Sequence, residues 1–130
     1  MKTLNKLRDE IHEYAISKGF WDNPRETGTL LMLCVSELSE AMEADRRGKY
    51  ADLEAYMECE NADDIFEGDK QMYLVSSFQC LIKDTFEDEL ADTIGRILDL
   101  CGAKGIDIEK HIELKMKYNA TRERMHGKKY

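Results

Sequence analysis

What the chain lacks narrows its class first. It has one proline in 130 residues and few runs that alternate apolar with polar side chains, so little in it favours strands, and the expected fold class is all-α. No apolar run approaches the roughly 20 residues that a membrane span needs, and the N-terminus lacks the apolar core of a signal peptide. A cytoplasmic protein with no membrane partner is the expectation. Positive charge is in deficit: 19 Lys and Arg against 27 Asp and Glu give a net charge of −8, which argues against a general nucleic-acid binder. Cys34, Cys59, Cys80 and Cys101 show no C-x-x-C spacing, and free thiols are expected rather than a zinc site or disulfides. No P-loop, internal repeat or low-complexity tract is present.

What is there is helical periodicity. A chain of 130 residues with 42% apolar side chains fits one domain, 1–130, of a size that often completes its core by forming oligomers. Leu4, Leu7, Ile11 and Ala15 predict a first helix over about Thr3 to Lys18, stopped by Gly19. Phe20 and Trp21 stand in a connector, where an aromatic pair is expected to cap the core. Asn23 as N-cap, Pro24 at the first helical position and Glu26 closing a capping box predict a second helix from there to about Arg47, ended by Gly48.

The stretch Ala51 to Asp84 holds nine acidic and two basic residues. Its first half reads as helix or loop. Its second half reads as a helix over about Asp69 to Lys83, with Leu74, Phe78, Leu81 and Ile82 as its apolar stripe. Asp84 and Thr85 offer a cap for the next helix, which runs to about Ala103 between the bracketing Gly102 and Gly105. Asp107 caps a last helix that turns Ile108, Ile112, Met116 and Tyr118 inward. From Lys115 to Tyr130 six Lys or Arg face one acid, a local balance of +5 in a chain that is otherwise −13.

The chemistry lies in two pairs of carboxylates. At 100° per residue from Leu30, Glu37 falls at about 340°, inside the apolar stripe of the second helix, and Glu40 at about 280°, at its edge. The stripe itself comprises Leu30, Leu33, Cys34, Leu38, Ala41, Met42 and Ala44. A bare carboxylate facing a core is costly unless it is paired, protonated or bound to a metal. Glu89 and Asp92 repeat the i, i+3 spacing on the helix striped by Phe86, Leu90, Ile94, Ile97, Leu98, Leu100 and Cys101. There Glu89 flanks the stripe, and Asp92 lies one step further out. If these helices pack on their apolar faces, four carboxylates converge. An all-oxygen ligand set points to a hard cation, Mg²⁺ or Mn²⁺. The plainer alternative is two solvated faces laced with ion pairs such as Asp92 to Arg96.

Glu37-x-x-Glu40 followed by Glu89-x-x-Asp92 resembles the E-x-x-E…E-x-x-D signature of the MazG-like all-α nucleoside triphosphate pyrophosphohydrolases. Asp88-Glu89-Leu90-Ala91-Asp92 is similar to the family's E-E-L-A-D, and Lys117-Tyr118-Asn119-x-x-Arg122 to its K-x-x-N-x-x-R end. The resemblance covers roughly 3–48 and 84–130. It implies a helical bundle with a four-helix core, a homodimer or homotetramer that cleaves a nucleoside triphosphate to the monophosphate and pyrophosphate. It implies that Glu37, Glu40, Glu89 and Asp92 bind Mg²⁺ and carry catalysis, with Glu40 as the candidate proton acceptor. It also implies that Lys115, Asn119 and Arg122 meet phosphate or sugar, and that Phe20 and Trp21 lie near the base. The chain departs from the family in the 48 residues between Glu40 and Glu89, so that about 51–83 reads as an insertion to which no family role transfers.

Two rivals remain at this level. A di-iron carboxylate bundle uses Glu-x-x-His, for which the chain offers only Asp9-x-x-His12 and Glu123-x-x-His126. A non-enzymatic helical interaction module would carry the same carboxylates as solvated charge.

Overall fold

Helix boundaries follow the capping chemistry in most places. In the computed structural model, which describes residues 1–130, helix α1 spans Leu4–Ser17. The Thr3 hydroxyl accepts from the Lys6 N–H at its start, and Gly19 leaves it in the left-handed region at φ 84°. Helix α2 spans Thr27–Arg46 and is left through Gly48 at φ 66°. Helices α3 (Leu53–Glu60) and α4 (Glu67–Leu81) fill the acidic stretch, α5 runs Phe86–Ala103 and α6 Ile108–Ala120, and a short 3₁₀ turn covers Arg124–Gly127. There is no strand. Asp52 caps α3 and Asp107 caps α6. At α5 the Thr85 hydroxyl accepts from the Asp88 N–H at 3.3 Å, while the Asp88 carboxylate accepts from the Asp84 N–H at 2.9 Å.

One local expectation fails for an identifiable reason. The Asn23–Glu26 box does not open α2, which begins at Thr27. The segment before it stays a turn in which the Arg25 guanidinium lies over the Trp21 ring, 5.3 Å from its centroid. Gly102 and Gly105 bracket the end of α5 as expected, by different means: Gly102 lies within the helix, where a Cβ would come within 2.6 Å of the His12 Cβ, and Gly105 at φ 63° follows its end.

The chain sorts into two compact units, where the sequence reading treats it as a single domain. One contains Met1–Thr27 and Ile97–Tyr130, the other Gly28–Arg96. In the first unit the start of α1 is tied to the α5–α6 connection and the start of α6. The Arg8 guanidinium donates to the Ile106 carbonyl at 2.6 Å, the Asn5 side-chain amide to Asp107 at 2.7 Å, and the Asn5 N–H to Glu109 at 3.2 Å. Ala15, Leu98 and Cys101 are buried there.

In the second unit, α3 and α4 form a helical hairpin with Tyr56 edge-on to Phe78 at 6.1 Å. The hairpin's two ends are stitched together by Asp52 N–H to the Leu81 carbonyl and Phe86 N–H to the Lys49 carbonyl, both at 3.0 Å.

The core is made of small residues. On α2 the buried row is Leu30, Cys34, Glu37, Ala41 and Ala44. Several larger side chains placed inward by periodicity are exposed instead: Leu38 at 48% and Met42 at 51% on α2, Ile94 at 54% on α5, and Ile112, Met116 and Tyr118 on α6. Phe78 keeps 38% of its surface. Periodicity locates an apolar face, but it does not say whether this chain or another covers it. Cys34 and Cys101 are buried free thiols, as expected.

A candidate metal centre

The buried row of α2 carries one charged residue. Glu37 sits between Cys34 and Ala41 with 7% of its surface exposed. From α5, Glu89 follows the capped first turn and is 5% exposed, and Asp92 lies one turn on, at the rim. One oxygen from each of Glu37, Glu89 and Asp92 lies within 4.8 Å of the others. That separation is roughly the span of two bonds of 2.0–2.6 Å to one hard cation. Glu40 is outside this set. It lines an adjoining cavity of about 290 Å³ with Glu43, Arg47, Lys49, Asp84 and Glu89.

The electrostatics are those of a site short of positive charge. Burial pushes the Glu89 carboxyl up to about 7, helped by the charge of Glu40 and by a hydrogen bond to Glu37 and its charge. Asp92 is raised as well, by burial first and then by Asp88 and Glu37, with Arg96 opposing. Arg96 is the one cation in contact. Its Nε donates to Glu37 Oε1 at 2.6 Å, and its Nη2 lies 2.6 Å from the same oxygen. The sequence pairs Arg96 with Asp92 at i+4, but the chosen partner is Glu37, 59 residues away in the chain. Arg47 and Lys49 were not singled out by spacing as ligand-facing. They follow the end of α2, and only the cavity shows that they face the same space as Glu40 and Glu89.

The remaining candidates belong to the other unit. The Trp21 indole N–H donates to both oxygens of Asp99, at 3.0 and 3.2 Å, and its ring stands edge-on to His12 at 5.3 Å. His12 Nδ1 is 2.7 Å from Asp99 Oδ1; because a carboxylate only accepts, Nδ1 carries the proton. Phe20 is 60% exposed. Lys115 and Arg122 both lie over the Tyr118 ring, 5.4 and 5.7 Å from its centroid. Arg122 also donates to the His126 carbonyl at 3.3 Å. The Asn119 side-chain oxygen is buried without a partner. The histidines offered for a di-iron site do not join a metal-ligand group, and the set that comes together is all carboxylate.

The arrangement can bind one hard divalent cation with a proton leaving Glu89. It can also present Glu40 as a base at the edge of the cavity. No helix is long and apolar enough to cross a membrane. The chain matches no protein-family model, no curated protein and no solved structure.

Proposed function

We propose that the chain is a Mg²⁺-dependent nucleoside triphosphate pyrophosphohydrolase of the MazG-like all-α kind, built on that family's four-helix core, acting in the cytoplasm in nucleotide-pool house-cleaning. The observation that carries the reading is the convergence of Glu37, Glu89 and Asp92 from two helices into one set of oxygens. This is what the E-x-x-E…E-x-x-D spacing requires if it is a ligand set rather than two solvated faces.

Glu37, Glu89 and Asp92 would hold the ion, Mg²⁺ or Mn²⁺. When bound, it supplies neutralisation of the triphosphate and a water acidified enough to attack phosphorus. The protein's own groups do the rest. Arg96 grips one oxygen of Glu37 and fixes that side chain's orientation. Glu40, outside the ligand set, accepts the proton of the attacking water at its carboxylate. Arg47 and Lys49 offer phosphate oxygens the cations that a largely acidic cavity otherwise lacks. Trp21, Lys115, Asn119 and Arg122 keep the base, phosphate and sugar roles that rest on the resemblance alone.

The test is a panel of canonical and modified nucleoside triphosphates with Mg²⁺, reading pyrophosphate against orthophosphate. Pyrophosphate with the nucleoside monophosphate is expected, abolished by Glu37→Gln and Asp92→Asn with helix content unchanged. Orthophosphate as the only product, or full activity in either variant, rejects the reading.

A further inference from the structure

The α3–α4 hairpin holds apolar side chains that its own unit does not bury. No residue of α3 is buried, and on α4 the one buried residue is Ser77. Gln71, Leu74, Val75 and Phe78 follow the i, i+3, i+4, i+7 spacing of a single helix face. With Tyr56 of α3, which stands edge-on to Phe78, they line a groove of about 440 Å³. Every lining residue comes from the hairpin, and the Asp52 N–H bond to the Leu81 carbonyl closes the hairpin at its base. The groove is therefore defined within one unit, Gly28–Arg96. Two neighbouring helices leave a furrow between them into which a third packs, at the usual interaxial distance of roughly 8–10 Å.

The surroundings of the groove are acidic, and no cation answers them. Seven acids lie from Glu54 to Asp69, and none of them forms an ion pair. Of the two lysines in the stretch, Lys70 also pairs with none of them, and Lys83 is held by Asp84 at 2.8 Å. Glu60 follows Tyr56 by one helical turn, and Glu67 precedes Gln71 by one turn, which sets both at the tip of the hairpin. The groove thus runs from apolar side chains near the base to carboxylates at the tip.

We propose that this groove receives an amphipathic helix of another protein. The guest's apolar row sits on Leu74, Val75 and Phe78, and its lysines or arginines gather at the end that meets the tip. Apolar anchors in a groove supply affinity, and charge complementarity supplies orientation and speed of encounter. The chemistry of the groove selects a basic guest, because a helix carrying acids at that end would meet seven unpaired carboxylates. The chain's own basic helix does not offer such an end. On α6, Lys110 and Lys117 are both paired with Glu113, and Lys115 lies over the Tyr118 ring.

The experiment is fluorescence anisotropy on the full chain, without nucleotide or metal. The probe is a labelled alanine-based helical peptide with leucines along one face and lysines in its last turns. Saturable binding of one peptide per chain is expected, with the isomer whose leucines are spread around the helix at least about tenfold weaker. Val75→Glu makes the hairpin more acidic, so electrostatics alone would tighten binding. It is expected instead to weaken binding about tenfold with helical circular dichroism retained, because the apolar contact is lost. Glu60→Gln/Glu67→Gln is expected to weaken binding at low salt and to flatten its salt dependence. A photocross-linker placed by Gln71→p-benzoylphenylalanine is expected to capture the peptide. Absence of saturable binding, equal binding of the isomer, indifference to Val75→Glu, or a cross-link from position 71 to the chain itself or to a second copy each overturns the proposal.

Discussion

Helix α5 carries two acids seven residues apart that have opposite fates. Asp99 is served by donors: the Trp21 indole reaches both of its oxygens, and His12 Nδ1 reaches one. Asp92 stands among acids, with Glu89, Glu37 and Asp88 as its neighbours and Arg96 as the only opposing charge. The same chemical group is a structural fastener in one place and a source of electrostatic cost in the other. Burial does not account for the difference, since Asp92 is the more exposed of the two; the supply of donors does. A carboxylate whose hydrogen bonds are already made has little left to offer a ligand. Carboxylates gathered against one another are stable only with a proton or a cation between them.

The largest expected effect comes from breaking the served acid. Asp99→Ala strips the acceptor from two ring N–H groups in a part-buried setting and is expected to cost about 3–5 kcal/mol, read from urea unfolding. Asp99→Asn keeps one acceptor oxygen and should cost less. A loss below about 1 kcal/mol for the alanine variant would place the pair with ordinary surface ion pairs.

The starved cluster should respond in the opposite sense. Glu89 holds its proton up to about 7 in the folded chain, against an ordinary value of 4.5. Between those values the folded state binds more protons than the unfolded state, so stability falls as pH rises through the window and stays low above it. Integrated over the window the cost is roughly 3 kcal/mol. Glu89→Gln, which cannot ionise, is therefore expected to be more stable than wild type at pH 8 in the absence of divalent ions, and about equal at pH 4. Equal stability at both pH values would mean that the buried carboxyl is relieved in some other way.

A cation should do for the wild type what the substitution does. If Mg²⁺ binds the folded state and not the unfolded one, as the proposed function requires, a hundredfold excess over its dissociation constant stabilises by about 2.7 kcal/mol. The melting temperature at pH 8 is expected to rise with Mg²⁺ in the wild type, to rise less in Glu89→Gln, and to rise in Asp99→Asn by as much as in the wild type, measured from that variant's own baseline. A wild type whose melting is unmoved by Mg²⁺ or Mn²⁺ would leave the cluster as solvated acids.

This contrast was only half legible in the sequence. The helices were, because apolar periodicity and capping residues such as Thr85 and Asp107 act locally, and the chain is all-helical as they predict. Glu37 was too, since a charge inside an apolar stripe is visible on a helical wheel. The fastener at Asp99 was not. His12, Trp21 and Asp99 lie far apart in the chain, and no spacing rule joins an α1 histidine to an α5 aspartate. The role of Gly102 was hidden for the same reason: a glycine near a helix end marks that end, and only the nearness of His12 shows it to be a packing site. The inward orientation expected of Leu38, Met42, Ile112 and Met116 failed because the pattern marks an apolar face without naming what covers it.

The smallest effect tests the one cation that the cluster has. Arg96 places two donors on a single oxygen of Glu37, but its side chain is 38% exposed, so solvent screens part of the interaction. Arg96→Met is expected to destabilise by about 1 kcal/mol at pH 8, because Glu37 is left buried with its charge unmatched. Glu37→Gln should cost less than that, since it relieves the crowding around Glu89 while losing the pair. The informative variant is the double one. If Arg96 matters because it answers Glu37, then Glu37→Gln/Arg96→Met should be more stable than the two single losses added together. The gap is the coupling between the two side chains, measured from the denaturation midpoints of the four proteins. Strict additivity would mean that Arg96 acts through packing of its aliphatic stem, and that Glu37 meets its neighbours with no cation of its own.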